Sequence, residues 1–176
     1  MKKDFIMPVV VLALICLVMS GALAFVNNVT YPVITEAAAE RAEQAMRQII
    51  PQADGFLPLD KNGLPASIKE AYGTSNNTGF IFIVTTSGYG GEMTIICGID
   101  LSGKIIKTLT LAHSETKGIS DPVFNMQPEY TGKDASLSGI DAISGATITS
   151  NAYKNGILDA FSAYEILLRL SKSQVR

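Results

Sequence analysis

The chain has 176 residues, a length that suggests one domain with an appendage, and a formal net charge of −2. Its basic residues are scattered, so no Lys/Arg stripe is available for nucleic acid. One histidine, His113, and two cysteines, Cys16 and Cys97, fall short of the three or four ligands of a zinc or iron–sulfur site, which leaves no metal site of the chain's own.

Residues 5–26, "FIMPVVVLALICLVMSGALAFV", carry no charge. As a helix they span about 33 Å, the thickness of a hydrocarbon core. Pro8 falls in the first turns, where a missing N–H is tolerated. Lys2, Lys3 and the amino terminus flank one side, and the next charge downstream is Glu36. The positive-inside rule then leaves the start in the cytoplasm and everything after about residue 27 outside. A cleaved signal peptide is the rival, with "ALA" at 22–24 as its processing site. The run is longer than a usual signal core, which favours a retained anchor. A lipoprotein reading of Cys16 is disfavoured by the bulky Ile15 before it. Cys16 and Cys97 lie in different apolar contexts and read as packing residues, not as a disulfide.

"TEAAAERAEQAMRQIIP" starts on a capping hydroxyl at Thr35, runs through strong helix formers and stops before Pro51, which predicts a helix leaving the membrane. Turn signals follow, "DKNG" at 60–63 and "GLP" at 63–65. "GFIFIVTTS" at 79–87 is rich in β-branched and aromatic residues and reads as a buried strand. "SGYGG" turns the chain into "EMTIICGID", and "DLSG" turns it again into "KIIKTLTLA". Short turns between consecutive strands predict an antiparallel meander. In 151–170, Tyr153, Ile157, Phe161, Tyr164 and Leu168 recur at one face of an amphipathic helix. Helix on meander gives an α+β fold. The parts expected are therefore 1–27, a cytoplasmic start and transmembrane anchor; 28–51, a membrane-proximal helix; and 52–176, an outer domain. The "NVT" and "NNT" triplets fit a glycosylation pattern too short to carry weight.

"DAISGATITSNAYKNGI", 141–157, holds Ser144, Thr147, Thr149 and Ser150 around a Gly145–Ala146 pair. Ser150 or Asn151 is the natural N-cap of the last helix. A helix start offers free N–H groups and a positive dipole end to a phosphate. Gly145 and Ala146 remove bulk ahead of Thr147, and Ser144 and Thr149 can donate to the same phosphate. A turn with a well-capped helix explains the same spacing.

"DAISGATITS" resembles the flavinylation motif of FMN-binding domains, an Asp, two residues, Ser or Thr, Gly, Ala, then the acceptor hydroxyl. Such domains occur in the G subunit of the Rnf electron transport complex and in the C subunit of the sodium-pumping NADH:quinone reductase. "GYGG" at 88–91 with the strand after it and "GIDLSGKI" is similar to the family's central hairpins. "AHSETKGIS" at 112–120 resembles its His-x-Glu-Thr-Pro-Gly segment, with Lys117 in place of the usual Pro. The resemblance covers nearly the whole chain, and its compact 51–78 region is closer to the Rnf G subunit. It implies that 52–176 is an FMN-binding domain, with FMN joined by a phosphoester to Thr147. A flavin transferase makes that bond from FAD and recognises Asp141. It also implies flavin contacts from Ser144, Gly145, Ala146, Thr149 and Ser150, and from His113, Glu115, Thr116, Gly118 and Tyr89. For the last five the plain alternatives are a structural histidine, a solvated charge, turn-forming residues and a hairpin turn. The implied role is an electron relay, a redox subunit that is not a complete enzyme and has no catalytic residues of its own. It would sit as a single-pass protein in the cytoplasmic (inner) membrane, with its domain extracytoplasmic. Its partners would be other Rnf subunits, especially D, A and E. The alternatives are the reductase C subunit, a stand-alone extracytoplasmic flavoprotein, and a non-redox membrane-anchored binding module.

Overall fold

The computed structural model describes residues 2–173. Two compact units part between Arg41 and Ala42.

The first helix, α1, is continuous over Lys2–Ile49 and contains Pro8 and Pro32. Its most apolar window has a mean hydropathy of 2.9 with none of it buried in the protein, enough to cross a membrane. The side chains of Leu12, Leu17, Leu23 and Phe25 all stand open, as apolar residues do on every side of a helix made for lipid. The helix start expected at Thr35 is not there. The Thr35 hydroxyl donates backward, to Pro32 O at 2.8 Å and Tyr31 O at 3.1 Å. A hydroxyl bonded to the preceding turn cannot cap the following one, and the Ala- and Glu-rich sequence carries the helix straight through. The end before Pro51 is as expected.

Residues 42–176 hold a five-stranded sheet in the order β1-β2-β3-β4-β5, antiparallel throughout. The strands are β1 (Phe56–Pro58), β2 (Ile68–Thr74), β3 (Gly79–Ser87), β4 (Glu92–Asp100) and β5 (Ile105–His113). A short helix, α2 (Asp121–Asn125), and a 3₁₀ turn (Gln127–Tyr130) follow, then α3 (Thr147–Ser173). The expected α+β meander is present, with β3 and β4 in full register from Gly79↔Asp100 to Ser87↔Glu92.

Unbroken apolar runs in β3 and β4 reflect burial on both faces. Phe82, Val84, Met93, Ile95, Cys97 and Ile99 face α3, where Tyr153, Ile157, Ala160, Phe161 and Tyr164 close the core. Ile81, Ile83 and Ile96 alternate to the other face, against Ala45, Met46, Ile49 and Ile50. Gly98 is required there, because a Cβ would overlap Ile49 Cγ2. Small residues likewise bring α3 close to the sheet: Gly156 leaves 3.2 Å between an added Cβ and Ile95 Cδ1. Tyr153 is fully buried and donates its hydroxyl to Thr108 Oγ1 at 3.1 Å. Burial pushes the Cys97 thiol up, so it stays neutral and packs as a small apolar residue.

Candidate functional site

The last helix opens at Thr147, four residues before the expected start at 151, so neither Ser150 nor Asn151 caps it. The cause is local. Gly145 takes φ +83°, the left-handed conformation that only glycine adopts at no cost. Ala146 N–H then closes a turn on Ile143 O at 3.0 Å, and Ser150 N–H makes the first helical bond to Ala146 O at 2.9 Å. The Ser150 hydroxyl works backward as well. It donates to Ala146 O at 2.9 Å and accepts Ile143 N–H at 3.1 Å, tying the 141–146 loop to the helix.

The four hydroxyls thus separate into two kinds. Thr149 and Ser150 are buried and committed to hydrogen bonds. Ser144 and Thr147 are exposed. Thr147 makes only a long bond, 3.4 Å, to Ile143 O. It is also the first helical residue, where backbone N–H groups have no intrahelical partner.

Glu115 joins the three segments that resemble the flavin-binding family. Its side chain is 7% exposed. Oε1 accepts Gly90 N–H at 3.0 Å, and Oε2 accepts the Thr149 hydroxyl at 2.6 Å. The "GYGG" turn has no side chain to spare at this contact. A Cβ on Gly88 would overlap the Glu115 carboxylate, and one on Gly90 would overlap Ser114 O. The glycines there exist to let a carboxylate in.

Around this knot lies a cavity of about 450 Å³, within the roughly 300–1,000 Å³ of small-molecule sites. It is lined by Tyr89, Glu115, Thr116, Gly145, Ala146, Thr147 and Thr149 of the residues singled out from sequence, and also by Ile119, Ser120 and Ile148. Its floor is polar. Its rim is apolar and open: Tyr89 is 75% exposed, Ile119 59% and Ile148 57%. Large apolar side chains held in water at a cavity mouth mark a contact surface. Ile148 had a signal in the sequence, a lone aliphatic residue among hydroxyls and off the Tyr153–Ile157 stripe; Ile119 and Ser120 had none.

The other singled-out residues lie outside the lining. His113 ends β5 and its ring lies 4.3 Å from that of Phe124. Gly118 N–H donates to Asp121 Oδ2 at 3.0 Å. Asp141 and Ser144 are exposed on the loop before α3, and Lys154 Nζ holds that loop through Ile140 O at 3.1 Å. Ser150 sits beneath the site as a brace. Among the described residues no group of His, Cys, Asp or Glu could hold a metal ion.

An α+β domain that follows a candidate membrane span, with a polar-floored, apolar-rimmed cavity at a helix start, has the features of a ligand-binding domain. Residues 88–162, which contain every residue of the cavity lining, match the family described as the FMN-binding domain. Similarity to curated proteins extends over most of the chain. The G subunit of the ion-translocating oxidoreductase complex of Shewanella piezotolerans is 26% identical over 89% of this chain and 88% of its own length. The G subunit of the Na(+)-translocating ferredoxin:NAD(+) oxidoreductase complex of Acetobacterium woodii is 29% identical over 89% of this chain and 90% of its own. The proton-translocating counterpart of Clostridium ljungdahlii is 27% identical, covering 85% of each chain.

Proposed function

We propose that this chain is the electron-relay subunit of a membrane-bound, ion-translocating ferredoxin:NAD oxidoreductase (Rnf) complex and carries FMN esterified through its phosphate to Thr147. The family match and the relatives named as G subunits support the role. One observation carries the attachment point. Of the hydroxyls in the motif, only that of Thr147 is both exposed and on the cavity wall, and it is nearly unengaged.

The residues present fit the cofactor. The unpaired N–H groups and positive end of α3 suit a phosphate. Ala146 and Gly145 leave no bulk beside the Thr147 hydroxyl, and Tyr89, Ile119 and Ile148 offer apolar surface to a flat aromatic ring. Flavin supplies the electron-accepting and electron-donating chemistry. In attachment, Thr147 Oγ1 forms a bond to the FMN-side phosphorus of FAD, the pyrophosphate bond breaks and AMP leaves. The Thr147 hydroxyl faces a backbone carbonyl, which is no base, so the group that takes its proton comes from the transferase. Exposed Asp141, six residues ahead, is placed to be recognised by that enzyme. The covalent bond keeps a cofactor that could not be replaced from cytoplasmic pools.

Residues 1–27 would be the cytoplasmic start and anchor, 28–51 the membrane-proximal helix and 52–176 the extracytoplasmic domain. The anchor holds the flavin within reach of the other subunits in the cytoplasmic membrane, especially D, A and E. The test is co-expression with a flavin transferase followed by a denaturing gel. The full chain should fluoresce, and Thr147→Ala should abolish the signal while Thr149→Val keeps it. Fluorescence that survives Thr147→Ala contradicts the assignment.

A further inference from the structure

We propose that Glu115 sets the reduction potential of the bound flavin: its buried carboxylate, fixed on the cavity wall by Gly90 N–H and the Thr149 hydroxyl, opposes reduction. The inference rests on the attachment of FMN at Thr147 and goes beyond it, from where the cofactor is held to how its electron affinity is adjusted.

Three observations carry it. The 2.6 Å bond from Thr149 to Oε2 lies in the range of a hydroxyl bonded to an ionised acceptor, and the other oxygen also accepts a donor. Both oxygens of the Glu115 carboxylate therefore act as acceptors. Among the described residues the ion pairs are Arg47–Glu43 and Arg169–Glu165, and Glu115 is in neither. It is 7% exposed, and a charge with little water around it acts over a longer range than one in solvent. Reduction adds negative charge to the flavin ring, and a fixed anion in the same cavity makes that addition less favourable. Thr149, the third residue of α3, brings the carboxylate to the positive end of the helix. Removing the charge would also uncover that end, which favours electrons. Both effects act in one direction.

A purely structural role for Glu115, as a clasp between the "GYGG" turn and α3, makes a different prediction. Glu115→Gln keeps a carbonyl oxygen for Gly90 N–H and turns its amide toward Thr149 Oγ1, which can accept. The clasp survives and the charge goes.

The experiment is a redox titration at fixed pH and ionic strength of the full chain co-expressed with the transferase, after intact mass has verified loading. Glu115→Gln should raise the reduced-to-oxidised ratio at a given ambient potential about tenfold, equivalent to roughly 30 mV for a two-electron couple. Glu115→Asp, which keeps the charge, should stay near wild type. A loaded Glu115→Gln protein with the wild-type potential overturns the inference. If Glu115→Gln does not load, Ile119→Lys on the exposed rim decides: a positive shift supports the field and an unchanged potential overturns it. A wild-type chain that carries no flavin instead overturns the attachment itself, and this inference with it.

Discussion

The first turn and the middle of α3 are built by different rules. Its middle, from Tyr153 to Tyr164, buries an apolar stripe against β3 and β4, with Gly156, Ala160 and Ala163 letting the helix come close. Its first turn buries hydroxyl-bearing side chains in place of large apolar ones. Thr149 and Ser150 are spent on hydrogen bonds to Glu115, Ala146 and Ile143, and Thr147 is left open. The middle holds the helix on the sheet, and the first turn uses that rigidity to present one hydroxyl. Stability and chemistry occupy separate parts of a single element.

Substitutions can test that separation. The largest stability effect belongs to the middle. Tyr153→Ala removes a fully buried ring and its bond to Thr108, and should cost about 3–5 kcal/mol in chemical denaturation. A loss below about 1 kcal/mol would show that the helix is held elsewhere. Ser150→Ala comes next. It removes the brace between loop and helix and leaves the Ile143 N–H without its partner, which should cost on the order of 1–2 kcal/mol. Flavin loading should slow, because the loop that displays Asp141 is less fixed. Normal loading kinetics with lowered stability would mean that the brace serves folding alone. Smallest in stability is Ile148→Ser at the exposed rim, within about 0.5 kcal/mol of wild type. Its effect should appear in the visible spectrum or fluorescence yield of the attached flavin; an unchanged spectrum would place the ring away from this rim.

The same division explains what could be read from the sequence. The strands 79–87 and 92–100 and the stripe on α3 are written in side-chain periodicity, which burial enforces. Strand β2, "IKEAYGT", is not, because Lys69, Glu70 and Gly73 favour other states and pairing with β1 and β3 recruits it. Strand β1 is three residues ending in Pro58, which an edge tolerates. Thr35 and Ser150 look like caps because composition shows a hydroxyl but not its direction. Both donate backward, to carbonyls of the preceding turn. In the site, the cluster at 144–150 was visible as composition. That Glu115 would reach across to Thr149, 34 positions away, depends on the meander bringing the end of β5 beside the start of α3. Ile119 and Ser120 became visible only with that approach.

The most direct test is peptide mapping by mass spectrometry of chain isolated from a membrane that also contains the flavin transferase. Attachment at Thr147 predicts the added mass of FMN on the peptide covering 141–157, with fragment ions placing it on that residue. An unmodified peptide, or a modification on Ser144 or Thr149, would contradict it.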